Sequence, residues 1–207
     1  MPPITPLQID FWIWTVTLAY WFASAPFTHK TRQRETWPKQ LRHAIPFYLA
    51  LYLVFAKRSL GPLDYTLYQT SSIEWLGTLV TCAGVAFAFW ARFTIGRNWD
   101  GYVTLKHGHR LIRTGPYAIV RHPIYTGFVV AFFGSALSAA RIDAFVGVAI
   151  VTVSFVHKVR QEETLLTGEF GQAYLDFTRN VPALVPGGRR RFRAQVVESP
   201  PGSSTNC

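Results

Sequence analysis

The residue types best suited to chemistry lie in one polar segment, 109–127, which reads HRLIRTGPYAIVRHPIYTG and leads directly into an apolar run. Gly115-Pro116 predicts a turn in this segment. A residue that precedes proline is pushed out of helical backbone geometry, so His122 should lie at a helix boundary. Pro123 suits the first helical position. We therefore expect an ionisable imidazole at the start of a helix whose body cannot tolerate charge.

The start of that helix is a candidate binding place for a charged ligand. The first N–H groups of a helix have no partner within it, so together with the helix dipole they attract an anion. Tyr117 and Tyr125 could offer ring faces to a cation at the same place. No metal is expected, because no cysteine or carboxylate at ligand spacing joins His107, His109 and His122.

A second polar stretch, HKVRQEE, follows the last apolar run and contains acidic residues. The apolar runs 124–140 and 142–156 are separated by a single arginine and predict a tight helical hairpin. The two polar ends of a hairpin return to the same place, so Glu162 or Glu163 should lie near His122. A pocket with helix N–H donors, tyrosine faces and a carboxylate suits S-adenosylmethionine, which is a zwitterion that carries an extra positive charge.

The composition predicts the elements that position these groups. A chain of 207 residues with 49% hydrophobic content and a net charge of +10 fits a small multispan membrane protein. We predict an all-α fold, a polytopic membrane protein with about five transmembrane helices and a cytosolic cofactor pocket at the ends of the last helical hairpin. A span needs roughly 20 apolar residues. The candidate blocks are 11–27, 44–56, 73–95, 124–140 and 142–156.

The basic residues predict the orientation of these helices. The block 44–56 is the weakest candidate because it is short and contains Pro46. If it crosses, most basic residues share one side, as the positive-inside rule requires, and only Lys57, Arg58 and Arg141 face the other. This topology places the N-terminus outside, and the active site and C-terminus in the cytoplasm. We expect Arg110, Arg113 and Arg121 to set topology and meet lipid headgroups. The expected interfacial anchors, with core packing as the alternative, are Trp12, Trp14, Trp75, Trp90 and Trp99.

Three regions follow from this pattern. Residues 1–95 are predicted to form three N-terminal transmembrane helices, and 96–187 a core of inner loop, helical hairpin 124–157 and post-hairpin helix. Residues 188–207 are expected to be a basic, disordered tail. The arginines 189–191 lack an aromatic stacking platform, so their partner should be the lipid bilayer and not nucleic acid. The oligomeric state cannot be read from the sequence.

At this point the sequence resembles the isoprenylcysteine carboxyl methyltransferase family over about residues 96–187. The shared elements are HxLIxxGxYxxxRHPxYxG at 109–127, EExxL at 162–166, FGxxY at 170–174 and VP at 181–182. The resemblance implies an integral-membrane methyltransferase that uses S-adenosylmethionine. Carried over residue by residue, it implies the cofactor contacts His109, Arg110, Leu111, Ile112, Tyr117, His122, Pro123, Ile124, Tyr125 and Glu162, and we add Glu163 as a second candidate carboxylate.

The resemblance also implies a substrate-side arginine, four residues before that glutamate, but this chain has Lys158 there. Lysine keeps the charge and loses the fork that grips a carboxylate at two points. We expect Lys158 or Arg160 to orient a lipophilic acceptor, with Glu162 holding the ammonium of the cofactor. A carboxylate acceptor is already ionised at neutral pH, so its direct attack on the sulfonium methyl group needs no general base.

Three alternatives share parts of this pattern. A phospholipid or other small-molecule N-methyltransferase would use the same cofactor, but an amine acceptor gains little from nearby cations. A membrane sterol reductase has a similar Arg-His-Pro-x-Tyr-x-Gly segment with a nicotinamide cofactor, and its longer helical body is missing here. A non-catalytic membrane scaffold could lose His122, Tyr125 and Glu162, and this chain has all three.

Overall fold

Six α-helices run through the residues that the computed structural model describes, which are 4–25, 31–33, 37–56, 65–96, 105–106, 110–187 and 196–198. The helices are α1 (Pro6–Ser24), α2 (Trp37–Phe55), α3 (Ser71–Ile95), α4 (Pro123–Ala139), α5 (Ile142–Phe170) and α6 (Gln172–Asn180). Two short antiparallel ladders pair β1 (Thr31–Gln33) with β2 (Leu105–Lys106) and β3 (Arg110–Ile112) with β4 (Val196–Glu198). The predicted helical class is confirmed.

Two of these helices, α3 and α5, are long and apolar enough to cross a membrane by length and composition. Leu41–Phe55 and Pro123–Ala139 are shorter apolar helices. At 1.5 Å per residue, the 29 residues of α5 measure about 44 Å, against about 30 Å of bilayer hydrocarbon. The last three turns of α5 therefore extend beyond an apolar layer of this thickness, and Glu162 lies on that extension.

The helices α3 and α4 pack backbone against backbone, because glycines face each other along the contact. A Cβ atom placed on Gly84 would lie 2.5 Å from the nitrogen of Ala131 and 2.6 Å from the carbonyl oxygen of Gly127. A Cβ atom on Gly134 would lie 2.4 Å from the nitrogen of Thr81. Small residues allow this close approach between helices. The contact fixes α4, whose first residues carry the candidate site.

The predicted hairpin between α4 and α5 is confirmed. Ala140 ends α4 in the left-handed region with φ +54°, and Arg141 is the N-cap of α5. The guanidinium of Arg141 pairs with buried Asp143 at 2.9 Å and donates to the carbonyl of Leu53 at 2.9 Å. Because the turn is this short, α5 must run back along α4 toward its first residues.

The first two helices complete the core. Trp14 of α1 is buried, packs against Phe132 at a centroid distance of 4.4 Å and donates from Nε1 to Ser135 Oγ at 3.0 Å. The expectation that Trp14 is an interfacial anchor is therefore wrong, since its ring fills the centre of the helix bundle. Trp12, Trp75 and Trp90 are largely exposed to the surroundings of the bundle, and Trp99 lies outside the described residues.

The chain after α5 differs from the expected organisation at one point. Residues 196–198 of the tail predicted to be disordered form β4, which pairs with Arg110–Ile112. The short helix α6 packs through Tyr174 and Phe177 onto Leu111, with Phe170 and Val181 in the same apolar cluster. This cluster anchors the region after the hairpin to the segment before α4.

Candidate active site

The segment that leads into α4 folds as its prolines and glycine require. Gly115 has φ +57°, and a 3-10 turn spans Gly115–Ala118. His122 is the N-cap of α4 with φ −124° and ψ 62°, and Pro123 is the first helical residue. The predicted boundary is confirmed, because proline disfavours the helical region for the residue before it and is tolerated at the first position.

A segment near the end of the described chain, 181–184, which we call the strap, runs beside the start of α4. The backbone N–H groups of Arg121 and His122 donate to the carbonyls of Pro182 and Ala183 at 2.9 and 3.0 Å. Thr126 Oγ1 donates to the carbonyl of Leu184 at 2.7 Å. The sequence predicted N–H groups open to an anion here. That expectation is wrong for the N-cap, because the strap supplies its acceptor.

The returning arm of the hairpin brings two carboxylates to the same place, as predicted. His122 Nδ1 lies 3.4 Å from Glu162 Oε2, and His122 Nε2 lies 3.3 Å from Glu163 Oε1. The hydroxyl of Tyr125 donates to Glu162 Oε1 at 2.5 Å. One imidazole therefore bridges two neighbouring glutamates across 40 residues of chain, and the tyrosine of the next turn fixes the first of them.

The two glutamates have different partners. Arg121 donates to Glu163 Oε1 from Nε at 3.0 Å and from Nη2 at 2.5 Å. The same guanidinium donates to the carbonyl of Thr178 in α6 and to the carbonyl of Val181, the first residue of the strap. Arg121 was expected to meet lipid headgroups, and that expectation is wrong. Its side chain is 8% exposed and ties the end of α6 to α5, because a buried guanidinium needs several acceptors.

Glu162 lies in a ring of aromatic and cationic groups. The Nζ atom of Lys158 is 5.5 Å from the centroid of the Tyr125 ring, within cation–π range, and Lys158 is only 7% exposed. Its positive charge acts on Glu162. The ring of Tyr125 also stacks with that of His122 at 5.9 Å and packs on Phe155 at 4.9 Å. The carboxylate of Glu162 thus has a cation on each side and keeps 20% of its surface exposed.

The two carboxylates change the proton affinity of the histidine between them. Burial of the His122 imidazole disfavours its charged form, but the hydrogen bonds and negative charges of Glu162 and Glu163 outweigh burial and raise the pKa of His122. A protonated imidazole has two N–H donors, one for each carboxylate. The site therefore favours an imidazolium that holds two carboxylates in place, and such a group is a poor general base.

Other residues that the sequence assigned to the site have different surroundings. Tyr117 is buried in the main apolar core, near enough to Glu162 for the charge of that carboxylate to act on its hydroxyl. Leu111 packs in the α6 cluster. Ile112 is partly buried against the main core, Ile124 is 9% exposed, and Arg160 is exposed. His109 lies outside the described residues, and only the backbone of Arg110 is described, in β3. The structure thus brings together His122, Tyr125, Lys158, Glu162 and Glu163.

Two arginines near the site were missed as structural residues. Arg113 is 4% exposed, lies over the ring of Phe177 at 5.4 Å and donates to the carbonyl of Ala173. Arg92 of α3 is 6% exposed and donates to the carbonyl of Gly96 at 2.7 Å. Arg92 could have been recognised from its position inside an apolar block, between Trp90 and Phe93, whereas no such signal marks Arg113. In the described part of the chain, no group of three or more His, Cys, Asp and Glu residues could hold a metal ion.

Comparison with known families agrees with the motifs. Residues 75–168 match the model of the isoprenylcysteine carboxyl methyltransferase (ICMT) family. The matched region begins within α3, earlier than the boundary at residue 96 that the motifs indicated, and includes His122, Tyr125, Lys158 and both glutamates. The resemblance inferred from the sequence is confirmed.

Three relatives illustrate the range of similarity. Protein-S-isoprenylcysteine O-methyltransferase B of Arabidopsis thaliana is 30% identical over 99 residues, 46% of this chain and 50% of the relative. The human protein-S-isoprenylcysteine O-methyltransferase is 29% identical over 124 residues, which are 57% of this chain and 44% of the relative. Methanethiol S-methyltransferase 2 of Bradyrhizobium diazoefficiens is 30% identical over 150 residues, which are 67% of this chain and 57% of the relative. The chain thus spans about half the length of these curated relatives.

Proposed function

Residues 75–168 belong to the isoprenylcysteine carboxyl methyltransferase family, and from this premise we propose that the protein is a membrane methyltransferase that uses S-adenosylmethionine. The observation that carries the proposal is the cluster of His122, Tyr125, Lys158 and Glu162 at the start of α4. The names of the relatives favour methyl transfer over reduction or a scaffold role. We propose a carboxylate on a lipid-like or isoprenylcysteine-like molecule as the acceptor.

The groups present fit the amino-acid end of this cofactor. Glu162 is a partly exposed carboxylate that can accept from an ammonium, and Tyr125 gives it a fixed orientation through a 2.5 Å hydrogen bond. The imidazolium of His122 holds the same carboxylate from the other side, so Glu162 stays ionised and in place. Glu163 forms an ion pair with Arg121, and we assign it the role of holding His122 in position beside Glu162. His109, Arg110 and Pro123 stay candidate contacts from the family resemblance.

The proposed reaction is a single displacement. When bound, S-adenosylmethionine supplies a methyl group on a sulfonium centre, and the acceptor oxygen forms the new bond to carbon as the carbon–sulfur bond breaks. Lys158, one helical turn before Glu162, attracts the acceptor carboxylate and holds it beside the cofactor's methionine end. We prefer Lys158 to Arg160 in this role because Lys158 is buried next to Tyr125 and Arg160 is exposed. Positioning the two reactants can contribute several kcal/mol to catalysis.

We propose that this site faces the cytoplasm at the inner ends of five transmembrane helices, α1 to α5. Large apolar side chains on the outside of the bundle support a bilayer around it, since Trp12, Phe22, Leu79 and Val153 are each at least 64% exposed. The basic residues of the loops support the orientation, with the N-terminus outside. A lipophilic acceptor could then reach Lys158 from the bilayer.

Thermal unfolding of the purified protein tests the cofactor proposal. S-adenosylhomocysteine at 100 times its Kd should stabilise the native state by about 2.7 kcal/mol, whereas NADPH should leave Tm unchanged. A methyl-transfer assay with labelled donor and a series of lipid carboxylates then tests the acceptor. Stabilisation by NADPH alone would reject methyl transfer, and labelling of amines but not carboxylates would reject the proposed acceptor.

A small thiol is a second candidate acceptor. The Bradyrhizobium relative named a methanethiol S-methyltransferase matches 67% of this chain. Lys158 suits a thiolate, because its ammonium is a point charge and the charge of a thiolate lies on one sulfur atom. A thiol is mostly protonated at neutral pH, so a nearby cation would increase its ionised fraction. Faster labelling of methanethiol than of any carboxylate in the same assay would select this reading.

A further inference from the structure

Asp10 is a buried carboxylate that the proposed reaction does not use. It belongs to α1, is 0% exposed and lies among residues of α3 and α4 near the α4–α5 turn. Ser135 of α4, one of the hydroxyl residues around Asp10, is 13 residues from His122, which is about 20 Å at 1.5 Å per residue. Asp10 therefore lies at the opposite end of the bundle from the candidate active site.

The surroundings of Asp10 are rich in hydroxyl and carbonyl oxygen atoms. The hydroxyls of Ser138, Thr78, Thr81 and Ser135 surround its carboxylate. Thr81 Oγ1 lies 3.4 Å from Asp10 Oδ2, and Ser138, Thr78 and Ser135 also act on the carboxylate through their hydroxyls. Asp10 Oδ1 has no hydrogen-bond partner. A buried carboxylate normally has its oxygens satisfied by donors or by a cation, because unpaired burial is costly.

The hydroxyls of Thr81 and Ser138 also contact backbone carbonyls, so their protons are shared between Asp10 and other acceptors. Thr81 Oγ1 lies 3.1 Å from Gly77 O, 3.3 Å from Ala131 O and 3.1 Å from Ser135 Oγ, and it has one proton to donate. Ser138 Oγ donates to Glu74 O at 3.0 Å. Among the described residues, no lysine, arginine or histidine forms an ion pair with Asp10. An ionised Asp10 would therefore need a positive charge from a bound cation.

The spacing of the oxygens indicates what could supply that charge. Around a cation with ligands at 2.3–2.6 Å, two oxygens at a right angle lie about 3.3–3.7 Å apart. Asp10 Oδ2 and Ala131 O lie at 3.4 and 3.3 Å from Thr81 Oγ1, which fits the short end of that range. The atoms that would coordinate the cation are all hard oxygen atoms, and the single carboxylate balances one positive charge. We propose that Asp10, Thr81, Ser135 and Ser138 form a binding site for a monovalent cation of the size of Na⁺ between α1, α3 and α4.

The test is the thermal stability of the purified full chain in chloride salts of equal ionic strength. Once Na⁺ exceeds its Kd, each further tenfold increase should raise Tm by about 3 to 6 °C, and N-methylglucamine should not replace it. Asp10→Asn should abolish the dependence and Thr81→Ala should weaken it. Thr15→Ala is the matched control, because Thr15 is an exposed hydroxyl of the same helix bonded to Phe11 O.

Equilibrium binding of radioactive ²²Na⁺ to the wild-type protein covers the case in which Asp10→Asn does not fold. About one displaceable Na⁺ per chain supports the site. Equal Tm values in Na⁺, K⁺ and N-methylglucamine, or a Na⁺ effect that persists in Asp10→Asn, would overturn it. A Tm that follows pH and ignores Na⁺ would also overturn it, because the carboxylate would then be balanced by a proton.

Discussion

The buried carboxylates at the two ends of α4 have different partners. At its first turn, His122 and Arg121 meet Glu162 and Glu163, so positive and negative groups balance each other within the protein. Near its last turn, Ser135 and Ser138 face Asp10 with hydroxyls alone. The glutamates are 20% and 25% exposed, whereas Asp10 is 0% exposed. The first arrangement is therefore partly open to its surroundings, whereas the second is closed.

The close contact between α3 and α4 supports both ends, and breaking it should have the largest effect. Gly84→Val places side-chain atoms where the nitrogen of Ala131 is 2.5 Å away from the new Cβ. We expect a loss of at least about 3 kcal/mol of stability, because packed helix backbones must separate. Thermal unfolding in detergent measures it.

Gly168→Ala is the control for that change, because nothing lies within 4 Å of a Cβ there. Alanine in a helix should be neutral or stabilise by up to about 1 kcal/mol. Equal Tm values for Gly84→Val and wild type would mean that the two helices are not packed this closely.

The balanced charges at the first turn predict the next largest effect. Arg121→Ala leaves Glu163 without its guanidinium and frees the carbonyls of Thr178 and Val181. Because the pair is only partly buried, we expect a loss of about 2 to 3 kcal/mol. Arg179→Ala removes the pair with Asp176, whose side chains are 69% and 47% exposed, and should cost less than about 1 kcal/mol. Similar losses for the two variants would contradict the difference in burial.

The histidine between the glutamates predicts a smaller effect that depends on pH. The pKa of His122 is raised in the folded protein, so its contribution to stability is complete below the unfolded pKa of about 6.5. It is lost as pH rises through the folded pKa. The difference in Tm between wild type and His122→Gln should therefore be greatest at pH 6 and shrink toward pH 9.

The smallest expected effect concerns the acceptor. Lys158→Arg restores a fork that can bind a carboxylate with two hydrogen bonds. We expect KM for a lipid carboxylate to fall about threefold to tenfold, with no change in the Kd of S-adenosylhomocysteine. A higher KM for carboxylates, or a changed cofactor Kd, would remove Lys158 from the acceptor side.

Local backbone rules predicted much of the structure around the start of α4. The Gly115 turn, the helix start at Pro123 and the approach of Glu162 to His122 follow from proline sterics and from a hairpin closed by one arginine. The strap and the role of Arg121 were not predictable in this way, because both depend on where residues 178–184 return after α6.

The other end of α4 was missed because Asp10 lies just before an apolar block and resembles a surface residue in sequence. The available signal was the hydroxyl spacing, with Thr78 and Thr81 three residues apart in α3 and Ser135 and Ser138 three residues apart in α4. Only the packing of three helices shows that these hydroxyls meet one carboxylate.

The central claim is that Glu162 binds the cofactor, whereas Glu163 only holds the neighbouring residues in place. Calorimetric titration of S-adenosylhomocysteine tests this claim most directly. Glu162→Gln should weaken Kd by about 10- to 100-fold, since a charge-assisted hydrogen bond contributes roughly 1.5–3 kcal/mol. Glu163→Gln should lower Tm more than Glu162→Gln does and change Kd by less than about threefold. An unchanged Kd in Glu162→Gln, in a folded protein whose wild type binds the ligand, would contradict the account.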